Sequence, residues 1–213
     1  ACQSLAHQKL DVQELGIDFL AGSGHKLCGP TGIGFLWSKK EILEKIPPFF
    51  GGGEMIQDVF EEKSTWAELP HKFEAGTPAI AEAIGLAAAI NYINNIGLDR
   101  ISEYEKEITK YLFEKLNQIE DLKIIGPSPT TDPNRASLAT FYVKEIHSND
   151  IAEILDSKGI CIRSGHHCCQ PLHRHIGISS TARVSMNFTT TKEDINTFIE
   201  KLKETISFLK LNS

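Results

Sequence analysis

At 213 residues, with 41% hydrophobic and 23% charged side chains, the chain has the composition of a folded globular protein with room for one or two domains. A net charge of -6 without any Lys/Arg run argues against nucleic-acid binding, which needs a basic stripe to neutralise phosphates. No apolar stretch approaches a membrane span, and five cysteines, an odd number in a chain this long, argue against a secreted disulfide framework and for reduced thiols.

The first predicted element is a short buried strand, Ile17-Asp18-Phe19-Leu20-Ala21, running into Gly22-Ser23-Gly24-His25-Lys26. Two glycines let the backbone turn sharply and approach a ligand, which puts Lys26 at a strand end. Burial disfavours the ammonium of a lysine, and the neutral amine condenses with an aldehyde, so Lys26 is a candidate Schiff-base residue. Ser23 and His25 flank it as candidate phosphate donors. The alternative is a solvated lysine in a glycine turn. Gly29-Pro30-Thr31-Gly32-Ile33-Gly34 continues as a punctuated turn before an apolar strand ending near Trp37, a layout suited to framing a ligand crevice. Residues 39–46 can form a short helix before Pro47-Pro48, and 51–71 reads as a long irregular segment, a length usually kept for function. Trp66 within it lines a pocket or packs as an ordinary aromatic. Thr77-Pro78 opens an alanine-rich helix to about Ile96, with proline near the first turn where no amide hydrogen bond is lost.

After Gly97, Ile101, Tyr104, Ile108, Leu112, Leu116 and Ile119 recur at helical steps and make an apolar stripe. The period then changes: 137–143 alternates as a strand, 151–155 belongs to a short helix ending at Gly159, 160–163 is strand-like, and 181–188 is another strand. Thr190 with Glu193 fits a capping box for the last helix, whose Ile195, Phe198, Ile199, Leu202, Ile206 and Leu209 share a face. Helices mixed with strands after Gly97 predict a small α+β domain.

Two arginines and one cysteine carry the remaining chemistry. Arg183 lies in a mostly apolar strand, where a guanidinium is costly unless it grips a carboxylate with paired hydrogen bonds. Arg163 opens the run Arg163-Ser164-Gly165-His166-His167-Cys168; for both arginines a surface ion pair is the alternative. Cys168 sits in a polar loop bounded by Gly165 and Pro171, where a thiolate can be stabilised and can move. Cys2, Cys28 and Cys161 lie in apolar contexts and are expected to be small buried hydrophobes. His166, His167, Cys168, Cys169, His173 and His175 are all metal-ligand types, but adjacent cysteines without a second spaced pair are poor tetrahedral geometry, so no metal is assigned.

Read together, five ordered motifs resemble the SufS-type, group II cysteine desulfurases of the class V aminotransferases. They are Ser23 to Lys26, Cys28 to Gly34, Gly51-Gly52-Gly53-Glu54-Met55-Ile56, Phe73-Glu74-Ala75-Gly76-Thr77-Pro78, and Arg163 to Cys168 followed by Gln170-Pro171-Leu172-His173-Arg174. The resemblance implies an α/β, fold type I pyridoxal-phosphate transferase. Residues 1–97 would be the C-terminal part of the large cofactor domain, with its dimer and entrance loop, and 98–213 the small α+β domain with the thiol loop. It implies pyridoxal 5'-phosphate on Lys26, with Gln3 at the phenolic oxygen and Ser23, His25 and, across a homodimer, Thr77 at the phosphate. Arg183, assisted by Arg163, would clamp the carboxylate of L-cysteine, and Cys168 would take the sulfur as a persulfide, leaving alanine. The acceptor would be a SufE-like protein or a SufBCD-type scaffold serving iron–sulfur cluster assembly, in a cytoplasm or plastid stroma. Ala1-Cys2-Gln3 resembles the segment just after the family's cofactor-binding aspartate, so the chain is expected to be the C-terminal portion of a longer enzyme. Cys169 departs from the pattern, which has a small non-thiol residue there. Selenocysteine lyase shares nearly all these residues and stays open as an alternative, as does an inactive dimerisation or acceptor-docking fragment.

Overall fold

The computed structural model describes residues 1–212, which divide into two compact units, Ala1–Ile101 and the residues from Ser102 onward. In the first unit, β1 (Phe19–Ser23) and β2 (Gly34–Ser38) form an antiparallel hairpin with Ser23 opposite Gly34. The short helix α1 (Lys40–Leu43) follows, then a second hairpin of β3 (Ile56–Val59) and β4 (Ser64–Trp66). The helix α2 (Ile80–Ile96) closes the unit before α3 (Leu98–Leu116).

Three expectations change here. The first strand begins at Phe19 and alternates between exposed and buried positions, because it belongs to a two-stranded ribbon rather than a covered sheet. The stretch expected to be irregular holds the β3–β4 hairpin, whose strands are too short to show a period. The helix starts at Ile80, so Pro78 precedes it instead of occupying its first turn. One buried side chain ties the unit together: Lys72 Nζ donates to the carbonyls of Leu43 at 3.0 Å and Glu44 at 3.1 Å, serving acceptors left open at the end of α1.

The second unit is built on a four-stranded antiparallel sheet of β5 (Leu122–Ile125), β6 (Leu138–Val143), β7 (Arg163–Gly165) and β8 (Thr181–Ser185). Its order is β5-β6-β8-β7, so β7 is an edge strand. Helices α3, α4 (Ser148–Ser157) and α6 (Lys192–Leu211) cover it, and α5 (Gln170–Ile176) links β7 to β8. The core joins Ile108, Leu112 and Leu116 of α3 to Phe141 and Val143 of β6, Ile151 and Leu155 of α4, and Leu202 of α6. Each such side chain stabilises the unit by about 2 kcal/mol on burial. The capping box at α6 is Thr191 with Asp194, one residue later than expected, with Thr191 Oγ1 accepting from the Asp194 amide at 3.1 Å. The strand expected over 160–163 sits at Arg163–Gly165, and neither β5 nor α5 was anticipated. Among the described residues no helix is long and apolar enough to cross a membrane.

Candidate active site

The lysine turn grows from the end of β1. Ser23 leads into a single 3-10 turn, Gly24–Leu27, closed by the Cys28 amide donating to the Gly24 carbonyl, with Cys28 left-handed at φ 59°. Gly24 also donates to the Ile33 carbonyl at 2.9 Å, and a Cβ there would come within 2.7 Å of Ile33 Cγ2, so only glycine permits this closure. From α2, Gly85 passes so close that a Cβ would lie 3.1 Å from Pro30 Cγ, which seats the turn against the helix. Ser23 Oγ and His25 Nδ1 lie 3.2 Å apart. Lys26 follows on the same turn, exposed rather than pocketed. Gln3 is exposed on an opening turn that is held to β1 where Cys2 Sγ donates to the Ala21 carbonyl at 3.5 Å. Thr77 is exposed ahead of α2 and makes no hydrogen bond to Ser23, His25 or Lys26 among the described residues.

In the second unit, sheet pairing brings Arg163 of β7 directly opposite Arg183 of β8. Two cations facing each other across strands destabilise the pair unless an anion lies between them. Beyond β7 the chain makes a tight turn, the Cys169 amide donating to the His166 carbonyl at 2.8 Å, and both central residues, His167 at φ 52° and Cys168 at φ 60°, are left-handed. Glycine or asparagine ordinarily fills such positions, so this turn stores strain at its cysteine. Arg163 Nη2 reaches Cys168 Sγ at 3.8 Å, and the thiol is exposed at an open cleft of about 550 Å³.

The polar groups around the turn are incompletely satisfied. Arg183 Nε is buried without a hydrogen-bond partner, and the buried ring nitrogens of His167 have none beyond the Thr181 main chain. Burial first, and then the charge of Arg183, hold the His167 pKa below its ordinary 6.5, with the Thr181 main chain pulling the other way. Two guanidiniums, a histidine kept neutral and an accessible thiol make a site that favours an incoming carboxylate and a nucleophilic sulfur. Of the sequence candidates, the structure therefore gathers Arg163, Arg183 and Cys168 in one unit, and Ser23, His25 and Lys26 on one turn of the other.

The remaining cysteines differ from expectation. Cys28 and Cys161 are exposed and Cys2 is half-buried, because Cys28 caps the lysine turn, Cys2 lies in the opening turn and Cys161 in the loop before β7, none of them inside a strand. A hydrogen bond from the Cys161 thiol to Asp156 pushes its pKa up. No three His, Cys, Asp or Glu side chains converge to hold a metal ion among the described residues. His173, read from sequence only as a possible ligand, is instead buried between Cys169 and Thr181.

Residues 1–198 match the family Aminotransferase class-V. The chain belongs to that family. A probable cysteine desulfurase of Synechocystis is 55% identical over 208 residues, which cover 98% of this chain and 49% of that protein. One from Streptomyces coelicolor is 47% identical over the same shares. Among solved structures, the apo cysteine desulfurase of Thermococcus onnurineus superposes with a TM-score of 0.91 at 40% identity, over 97% of this chain and 51% of that one. The Escherichia coli cysteine desulfurase CsdA gives 0.89 at 33% identity, over 97% and 50%. The cystine C-S lyase C-DES, solved with its product cysteine persulfide, gives 0.77 at 25% identity, over 94% and 50%. The fold is thus the α/β fold of the pyridoxal-phosphate-dependent cysteine desulfurases, and the chain spans about half the length of the relatives it matches.

Proposed function

We propose that this chain serves a SufS-type cysteine desulfurase that takes sulfur from L-cysteine, leaves alanine, and carries the sulfur as a persulfide on Cys168. The observation that carries this reading is the thiol of a strained, exposed turn lying 3.8 Å from Arg163, with Arg183 opposite that arginine and its Nε unpartnered. Residues 1–97 would be the C-terminal part of the cofactor domain and 98–213 the small domain.

Pyridoxal phosphate fits the donor set of the first unit. Ser23 Oγ and His25 Nδ1, 3.2 Å apart, can both reach one phosphate, and the exposed Lys26 amine is free to condense with an aldehyde. Gln3 would contact the ring oxygen and Thr77 the phosphate across a homodimer. When bound, the cofactor would supply an electron sink for carbon-centred charge on the substrate. The chain's own residues do the rest. Arg183, with Arg163 beside it, would grip the substrate carboxylate through paired hydrogen bonds. Lys26 Nζ would move the proton at the substrate's α-carbon. Cys168 Sγ, as thiolate, would attack the substrate sulfur: an S–S bond forms, the C–S bond breaks, and its electron pair stays on carbon to end as a C–H bond of alanine.

A SufE-like acceptor, or a SufBCD-type scaffold, would then remove the outer sulfur for iron–sulfur cluster assembly, in a cytoplasm or plastid stroma. Borohydride reduction of the full-length, cofactor-loaded enzyme, followed by peptide mapping, tests the first half of this reading. The cofactor should be trapped on Lys26; trapping on another lysine, or none, overturns the assignment.

A further inference from the structure

The thiol turn poses a mechanical problem. Two consecutive non-glycine residues in left-handed conformation are strained and persist only where their surroundings over-determine them. The turn sits at the end of an edge strand only three residues long, which holds it poorly. Something beyond the His166–Cys169 hydrogen bond must fix it.

His173 is placed to do so. Its ring is buried at 5% exposure, with Nδ1 3.0 Å from the Cys169 carbonyl and Nε2 3.0 Å from Thr181 Oγ1. A carbonyl only accepts, so Nδ1 carries the proton and donates to it, and in the neutral ring Nε2 accepts from the Thr181 hydroxyl. Thr181 is fully buried at the start of β8, two residues before Arg183. The imidazole thus bridges the residue after the thiol to the strand that bears the second arginine. His166 packs edge-on against the same ring, with centroids 5.4 Å apart.

We propose that His173 is a positioning residue, which clamps the strained turn to β8 and so holds the Cys168 sulfur beside Arg163 and Arg183. The proposal rests on reading Cys168 as the reactive thiol, and it gives a role to a buried histidine that is not part of the cleft lining. Without the clamp the turn relaxes toward ordinary backbone angles and the sulfur drifts from the guanidiniums.

Paired alkylation of the 213-residue chain tests this without cofactor or cysteine. Iodoacetate is anionic and iodoacetamide neutral, and both react with the thiolate, so the ratio of their rates reads the local positive field. In a Cys169→Ser background, with sites resolved by peptide mapping, the ratio at Cys168 should exceed that at Cys28 by about fivefold, the worth of one unit charge at 4 Å in water. His173→Leu and Thr181→Val should bring the Cys168 ratio down to that of Cys28, whereas Thr181→Ser should keep it. His173→Asn, which keeps a donor for the Cys169 carbonyl and loses Thr181, should fall between.

A Cys168 ratio unchanged in His173→Leu and Thr181→Val overturns the clamp, including where melting temperature falls, since a purely structural role would move stability and leave the ratio alone. Should His173→Leu fail to fold, the Thr181 pair decides, because valine and threonine differ by one hydroxyl. A failed clamp leaves the desulfurase reading standing, because neither reagent touches the cofactor lysine.

Discussion

The two units bury their helices differently. In the second, α3 and α6 are amphipathic: Ile108, Leu112, Leu116, Ile199 and Leu202 face the sheet while charged residues face water. In the first, α2 is mostly apolar without a clear polar face, yet it buries only Leu86, Ala89 and Ile93 and leaves Ile84 68% exposed. Phe49 and Phe50, 88% and 70% exposed, meet edge to face in the loop after Pro47-Pro48. So apolar a helix is ordinarily covered on most of its surface. One unit has closed its own core, and the other presents apolar surface of the kind normally covered in an assembly.

That contrast is broken most directly by separating the parts. Residues 98–212 alone should unfold in one cooperative urea transition, whereas residues 1–97 alone should bind a hydrophobic dye and show none. A cooperative transition in the first piece would erase the distinction. Next in size, Leu112→Ala or Leu202→Ala, at fully buried sites, should cost about 2–5 kcal/mol by urea denaturation. Ile84→Ala, at an exposed site, should cost less than about 0.5 kcal/mol. Equal costs would mean that α2 is packed far better than its exposure implies.

The thiol turn sharpens the comparison through pH. Because folding holds the His167 pKa below 6.5, the unfolded chain takes up this proton first as pH falls. The folded state therefore loses stability below that value, and the loss stops growing once the folded ring is also protonated. Between about pH 7 and pH 5 the urea midpoint of the wild-type chain should drop more than that of His167→Asn, which keeps a residue tolerant of left-handed φ without the titrating ring. Identical slopes would remove His167 from the account. Smaller still, Thr191→Ala should cost about 1 kcal/mol by removing the α6 cap. Breaking the half-exposed Lys210–Asp121 pair, 2.6 Å apart, should leave the urea midpoint almost where it was.

What could be read from sequence followed signal length. The α3 stripe spans five turns and β6 alternates along its whole length, so both were legible. β5 has four residues and α5 is seven mostly polar ones, too short to show a period. The capping box slipped by one because consecutive threonines offer two registers, Thr190 with Glu193 and Thr191 with Asp194. Of the candidate residues, Lys26 and Cys168 were visible within recognisable motifs, and Arg183 as a lone guanidinium in a strand. The confrontation of Arg163 with Arg183 was not, since it depends on an antiparallel register between strands 20 positions apart in sequence. Nor was the role of His173, whose partners are a backbone carbonyl and a threonine hydroxyl that no motif announces.

The most direct test is the mass of the Cys168 peptide after the full-length, cofactor-loaded enzyme meets L-cysteine without an acceptor. A gain of one sulfur atom on Cys168, absent in Cys168→Ser and matched by alanine in solution, is the predicted result. Alanine formation that persists in Cys168→Ser, or sulfur found only on Cys169, would contradict it.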